Sequence, residues 1–390
     1  MKKGLLLSVV ASTMIFAGGD IAPVEPAAAA PVADCSDFSG VAGLHFRTND
    51  KDKHDLFSKE NNSLYGTAAI SYEGMIAYGI GFGTKLGGKV DLTSFINSDI
   101  GRTDDTAEIS RVYLTASFGN TAIKVGRYDL PGALSPLLYT DSSDGIDATT
   151  YEGILFANTD LADTTVYGTA LFGTSKDNNT RSSFVAGDKS GAYALGFVNK
   201  SLANTTITAV GYYVTDVDAA EATDMAVYGG ALTVATKMSG VNVTGQVAYL
   251  ADDDDASDVD SLQASLLVGT KFGMVNLKAR VWYNNDGALK LGDDDLNGQG
   301  WGSGREQVGV RFDASAPVYV GTLYGRLDYV SYDKVLDTSD SKLHARLGYK
   351  FKVLNNKVEL KAEYRYTDLD KSTAGYEADN AVRFDATYKF

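Results

Sequence analysis

The feature that most constrains this chain is a two-residue alternation that recurs, segment after segment, from Phe38 to the last residue. Val275, Leu277, Ala279, Val281 and Tyr283 share one parity, while Asn276, Lys278 and Arg280 take the other. Leu343, Ala345, Leu347, Tyr349 and Phe351 oppose Lys342, His344, Arg346 and Lys350 in the same way. Val358, Leu360, Ala362, Tyr364 and Tyr366 oppose Glu359, Lys361, Glu363 and Arg365, and Val382, Phe384, Ala386 and Tyr388 oppose Arg383, Asp385 and Lys389. A helix would mix these sets. In a strand, successive side chains point to opposite faces, so each segment has one apolar and one polar face.

The connections alternate in length. Short ones fall at Glu73-Gly74, Gly119-Asn120, Met238-Ser239-Gly240, Gly273-Met274 and Leu354-Asn355-Asn356. Long ones run over 48–61, 130–150, 175–189, 284–304 and 367–379. Counting between these marks gives about 18 strands, and the 353 residues from Phe38 onward allow roughly 20 per strand plus connection. Gly87-Gly88 reads as either a bulge or a turn. Pro131 and Pro136 fall in a long loop and Pro317 in a turn, so no proline interrupts a strand. A soluble sandwich would bury its apolar faces together and expose the charged ones. Here the charged faces recur strand after strand, and aromatics such as Phe118, Phe197, Phe272 and Tyr329 mark the strand ends as a girdle would. The expected fold is therefore an all-β, transmembrane antiparallel barrel, closed because lipid tolerates no unpaired sheet edge.

The N-terminus supports the same compartment. Met1-Lys2-Lys3 followed by the uncharged, mostly apolar 4–17 has the build of a secretory signal peptide, cut at Ala17 or as late as Ala30. An Ala/Pro-rich lead-in, 18–37, precedes the barrel, 38–390, and carries the single cysteine, Cys35. With short turns on one side and long loops on the other, an even strand count puts both termini in the periplasm. The terminal Phe390, ending an alternating strand, matches the aromatic signal of outer-membrane barrels. The formal net charge of -15 offers no basic patch for phosphate, so nucleic acid is excluded as a partner. One cysteine rules out a disulfide framework and thiolate-rich zinc sites.

The stretch Arg111–Arg127, with its Phe-Gly-Asn-Thr and Gly-Arg core, leads into a proline-containing loop and then 151–158, Tyr-Glu-Gly-Ile-Leu-Phe-Ala-Asn. Together these resemble the OprD-type porins, a broad group that includes the Campylobacter-type major outer membrane porins. The resemblance implies an 18-stranded barrel, often trimeric, whose third extracellular loop folds inward; in this chain that loop is 130–150. It also implies a ladder of basic residues on one interior wall and small carboxylate-bearing solutes. The chain departs from the pattern by lacking a proline before Tyr151 and by its acidic loops.

Inside a barrel this wide an aqueous channel remains, and charge on its wall sets what passes. Parity assigns Arg111, Lys124, Lys278, Arg280, Arg311, Arg326, Arg346, Lys350, Lys361, Arg365 and Arg383 to the pore, with fewer acids: Asp313, Asp328, Glu359, Glu363 and Asp385. Two readings stand. The bases form a wall that guides anions past constriction-loop acids Asp141, Asp144 and Asp147, or they pair with the acids and merely solvate the wall. The acidic runs 252–255 and 293–295 are candidates for a divalent cation, or simply solvated loop tips, because no EF-hand spacing accompanies them. No cofactor and no metal ligand set is assigned.

Three histidines, His45, His54 and His344, come without a nucleophile elbow or a His-Glu-x-x-His pair, so the expectation is not an enzyme. Gly83–Val90 imitates a phosphate loop but lacks its hydroxyl and a following helix. The expected function is passive diffusion of small hydrophilic solutes and ions across a Gram-negative outer membrane, with lipid, lipopolysaccharide and two further copies of the chain as neighbours. The competing class is a structural or adhesive surface barrel.

Overall fold

The computed structural model describes residues 5–6, 30–31, 37–50, 55–77, 79–96, 105–138, 149–176, 180–182, 191–215, 226–253, 260–289, 291, 299–332, 341–369 and 378–390. Eighteen antiparallel strands form a closed barrel. They are β1 (Asp37–Asn49), β2 (Asn62–Ala77), β3 (Ile80–Asp91), β4 (Thr106–Phe118), β5 (Thr121–Tyr128) and β6 (Thr150–Asn158). Next come β7 (Thr164–Lys176), β8 (Ala192–Asn199), β9 (Thr205–Val214), β10 (Val227–Met238), β11 (Val241–Asp252) and β12 (Asp260–Phe272). The last are β13 (Val275–Asn284), β14 (Gln307–Val318), β15 (Gly321–Tyr332), β16 (Ser341–Val353), β17 (Val358–Leu369) and β18 (Asp379–Lys389). Each strand pairs with its sequence neighbour, and β18 pairs with β1 to close the ring. Outside it, Leu5–Leu6 pairs with Ala30–Pro31, and Thr180–Ser182 folds back on the end of β7.

The seam shows how the last residue is used. Gly40 and Phe390 exchange both backbone hydrogen bonds, at 2.9 and 3.1 Å, extending the β18–β1 ladder by one rung. The Phe390 ring lies where a Cβ on Gly40 would be, so any larger residue there would push the ring aside, and it approaches Phe38 and Tyr388 with centroids 6.3 and 5.7 Å away. The apolar parity of the strands faces outward and stays accessible: Leu347, Phe312 and Val308 are each more than half exposed. A soluble protein would hide such a belt, whereas hydrocarbon is its natural solvent.

All short connections lie at one end with the first and last strand termini, here the turn end, and the long ones lie at the other, the loop end. The turns are tight. Ser239-Gly240, which form a two-residue hairpin loop, and Leu354-Asn355-Asn356, the first three residues of a four-residue one, all sit at positive φ. Three expectations from sequence are corrected. Glu73-Gly74 is not a turn: β2 runs on to Ala77, pairing Glu73 with Gly83 and Gly74 with Phe82. Gly87-Gly88 lies within β3, and the register irregularity falls just before it, between Lys85 and Leu86. Pro317 is the penultimate residue of β14 rather than part of a turn, paired with Thr322 beside the hairpin. Near a strand end proline costs the sheet little.

Candidate functional site

The lumen has two unlike walls. On β13 through β18 and on β1, seven consecutive strands each present an inward arginine: Arg280, Arg311, Arg326, Arg346, Arg365, Arg383 and Arg47. The register brings them side by side. Arg280 pairs with Arg311, Arg326 with Arg346, Arg346 with Arg365, and Arg383 with Arg47 across the seam. Seven like charges this close repel, and the wall answers with a small number of carboxylates. Arg311 is ion-paired to Asp328, which also meets His344 at 3.2 Å. Arg326 Nε donates to Asp313 at 2.6 Å, and Arg365 Nε to Glu363 at 2.5 Å. Lys361 Nζ lies 3.3 Å from Asp385 and 3.7 Å from Glu363. Tyr324 donates its hydroxyl to Glu363 at 2.8 Å, and His45 sits between Asp385 (2.9 Å) and Thr67 (3.1 Å).

Pairing is therefore partial. Arg280, Arg346 and Arg383 meet no carboxylate within ion-pair distance among the described residues. Arg311, Arg326, Arg365 and Lys361 are held by acids, while the three arginines interspersed with them are not, among the described residues. Lys278 faces Asp313 across the β13–β14 ladder, and Lys350 is exposed near the turn end. Glu359 stands opposite Lys352 and Thr387 in the same region.

A second basic group lies on β1 to β5. Arg111 pairs with Asp129, and Lys124 Nζ lies 4.1 Å from the Tyr113 ring centroid. Tyr113 donates to Glu73 at 2.5 Å, which places Glu73 on the inner face. Arg47 and Lys89 approach the Tyr65 ring at 4.9 and 4.8 Å, and Lys85 is buried on the inner face of β3. Arg47, Lys85 and Lys89 are pore-facing bases that the sequence reading passes over. The signal is present in the alternation of Leu44-His45-Phe46-Arg47 and of Lys85-Leu86 with Lys89-Val90.

The other wall is apolar. On β6 to β11 the inward positions include Leu155, Leu171, Val210, Tyr212, Val227 and Leu250, all buried. Here the expectation of a polar inner face fails, because this face is not open to water. The loop after β5 turns into the lumen and lays Leu130, Leu134, Leu137 and Leu138 against it. Leu134 is fully buried, and its carbonyl accepts the Tyr212 hydroxyl at 2.7 Å from β9, four strands away. Each buried leucine contributes about 1.5–3 kcal/mol to holding the loop down. The inward third loop is thus seen over 129–138, whereas Asp141, Asp144 and Asp147 lie outside the described residues.

Of the acidic loop tips, Asp253 is in use: its carboxylate accepts the Ala226 backbone N–H at 2.6 Å. Asp254, Asp255 and 293–295 lie outside the described residues, as do His54 and Cys35. Among the described residues no three His, Cys, Asp or Glu side chains converge in a way that could hold a metal ion.

No family model matches this chain, and neither does any curated protein. Among solved structures it is similar to OpdK of Pseudomonas aeruginosa, crystallised with vanillate, at a TM-score of 0.70 and 12% identity over 91% of this chain and 98% of that one. It is similar also to OccK2 (OpdF) of the same organism in complex with glucuronate, with a TM-score of 0.68, 12% identity, and 91% and 98% of the two chains covered. OccAB3 of Acinetobacter baumannii gives a TM-score of 0.68 and 12% identity over 91% and 99%. Likeness at that identity establishes the fold: a closed 18-stranded antiparallel barrel, shared nearly end to end with these porin structures.

Proposed function

We propose that this chain is an outer-membrane porin through which small hydrophilic solutes diffuse passively, and that its lumen favours anionic, carboxylate-bearing ones. The observation that carries this reading is the arginine wall with three guanidiniums, Arg280, Arg346 and Arg383, that meet no carboxylate among the described residues. A guanidinium offers a planar fork of donors that matches a carboxylate, and it stays charged at any physiological pH. Arginines already tied to Asp328, Asp313 and Glu363 are held in place and partly neutralised, so the unpaired ones provide successive resting points that an anion can leave as easily as it enters. The structural kinship with the OprD-type group points the same way, as do neighbours solved with vanillate and glucuronate. No catalytic step is needed, and no reacting group is assigned.

The same reading includes export by a cleaved signal peptide at 1–17, a lead-in at 18–37, residence among outer-membrane lipid and lipopolysaccharide, and assembly as a homotrimer. For the trimer, support comes from the outer face of β5 and β6. These strands and β8 have 8, 9 and 8 residues. At about 3.4 Å per residue and a tilt of about 40°, they reach about 20 Å, short of the ~25 Å apolar band. Their outward face carries Arg127 ion-paired to Glu152 at 2.6 Å, with Arg127 also donating to the Ile109 carbonyl at 3.0 Å. A charge pair on a low wall suits another protein better than hydrocarbon.

The test is a planar bilayer. Purified protein gives stable stepwise conductance that vanillate or another small carboxylate lowers in a saturable way. A barrel that inserts and conducts nothing would leave the structural or adhesive reading in its place.

A further inference from the structure

On β10 through β18 the two ends of the same strands carry opposite charge. At the turn end Lys237, Lys271, Lys350, Lys352, Lys357 and Lys389 are all exposed, and none makes an ion pair among the described residues. Their parity is that of the lumen. Lys237 and Lys271 precede the outward Met238 and Phe272, Lys350 and Lys352 follow Arg346 in steps of two along β16, and Lys389 follows Arg383 and Asp385 along β18. Like charges are set side by side here: Lys350 pairs with Lys361 across the β16–β17 ladder, and the Lys389 N–H donates to the Lys357 carbonyl at 2.9 Å. Such neighbours repel, and on this arc only Glu359, opposite Lys352, offsets them among the described residues. The other described turn-end acids, Asp37, Asp160 and Asp163, lie across the mouth, on β1 and between β6 and β7.

At the loop end of β11 to β18 the sign reverses. Asp253, Asp260, Asp286, Glu306, Asp368 and Asp379 stand there against Arg305 and Lys342. Several are fixed in place: Asp260 accepts from Asn285 Nδ2 and Glu306 from the Tyr283 hydroxyl, each at 2.9 Å. An ion crossing the barrel on this side therefore meets acids first, then the arginine wall, then a rim of hydrated lysines.

We propose that this axial separation of charge makes the barrel a rectifier, with the turn-end lysines as the residues that set the direction in which current passes more easily. When the loop side is positive, cations enter past the acids and anions enter past the lysines. Both accumulate between the two zones, and conductance rises. With the polarity reversed each zone holds back the ions that would replace those leaving, so the middle is depleted and conductance falls. The inference deepens the porin reading and rests on it. It concerns the shape of the current–voltage curve, whereas the arginine wall concerns which ion is preferred.

The experiment records single channels of the full chain in a planar bilayer with equal potassium chloride on both sides. In 0.1 M salt, where fields reach about 10 Å, currents at opposite polarities of about 100 mV should differ by about 1.5-fold or more, and in 1 M salt, where they reach about 3 Å, the currents should be equal. Converting Lys237, Lys271, Lys352, Lys357 and Lys389 together to glutamine should equalise the low-salt currents. Should that variant fail to fold, Lys352→Gln combined with Lys357→Gln must still lower the ratio. Acidifying one compartment to about pH 4 discharges carboxylates and leaves lysines charged. The acid should lower the ratio only from the side that is positive in the high-current polarity. Equal currents in the low-salt wild type, a ratio that persists in 1 M salt, a ratio unchanged by the lysine substitutions, or acid acting from the opposite side overturns the proposal. A barrel that conducts nothing removes the porin reading and this one with it, whereas a conducting barrel with a symmetric curve removes this one alone.

Discussion

Two stretches of one continuous sheet, β6 to β11 and β13 to β1, follow the same alternation and spend their inward positions differently. The first fills them with Leu155, Leu171, Val210, Tyr212 and Leu250 and covers them with an infolded loop. The second fills them with seven arginines and leaves them open to the lumen. The difference teaches that the inner face of a wide barrel is not one environment. Where a loop supplies apolar partners the wall behaves as a protein core, and where it does not the wall must be solvated or charge-balanced. The infolded loop packs on the first stretch alone, with its leucines among the buried residues of that wall.

The comparison can be broken most strongly at the arginine wall. Converting Arg280, Arg346 and Arg383 together to glutamine removes the charges no carboxylate holds. Each contributes about 1 kcal/mol at close range in water-like surroundings, so the anion-to-cation permeability ratio should fall by about tenfold or more. Reversal potentials across a salt gradient measure it. The matching change on the other wall is Leu134→Ala. Loss of a fully buried leucine costs about 2–5 kcal/mol, which loosens the loop from Tyr212 and its neighbours. Single-channel conductance should rise and become noisier, with ion preference reduced.

A third change sharpens the comparison by acting in the opposite direction. Asp328→Asn releases Arg311 and His344 together. With one negative charge gone, anion preference should increase by about two- to fivefold. The smallest effect lies at the turn end. Asp160 is fully exposed, yet its carboxyl titrates below its ordinary range because the side-chain amides of Asn158 and then Asn120 donate to it, at 2.7 and 2.9 Å. A depressed carboxyl stabilises the fold above its unfolded value of about 3.9, and that contribution is lost as pH falls through the lower folded value. Urea midpoints of wild type and Asp160→Ala should differ slightly at neutral pH and converge in strong acid.

Most of the barrel is legible in the sequence because lipid enforces a period of two, and strands such as β16, β17 and β18 obey it along their middle residues. Strand number, the even count and the infolding after Tyr128 all follow from that alternation, the connections and the family resemblance. What misleads is local. Glu73-Gly74 has turn chemistry, but Glu73 is an inward acid bonded to Tyr113, a role visible only once the Tyr113 ring of β4 reaches across Gly83 of β3 to β2. The covered wall is obscure for a related reason: in Ala192–Asn199 both parities are apolar or small, so no pattern says which faces lipid and which faces a loop. The inward bases are readable strand by strand, but their pairing is not. That Arg311 meets Asp328 and Arg326 meets Asp313 depends on the register between β14 and β15, and register is set by turns rather than by composition.

The central claim is that unpaired arginines, not the acidic loops of a chain with net charge -15, decide what the lumen prefers. The most direct measurement is the zero-current potential of the wild-type protein in a planar bilayer separating concentrated from dilute potassium chloride. The arginine wall requires chloride to permeate more readily than potassium, with the preference strongest on the dilute side of the range where screening is weakest. A potential of the opposite sign, reporting faster potassium, would contradict it.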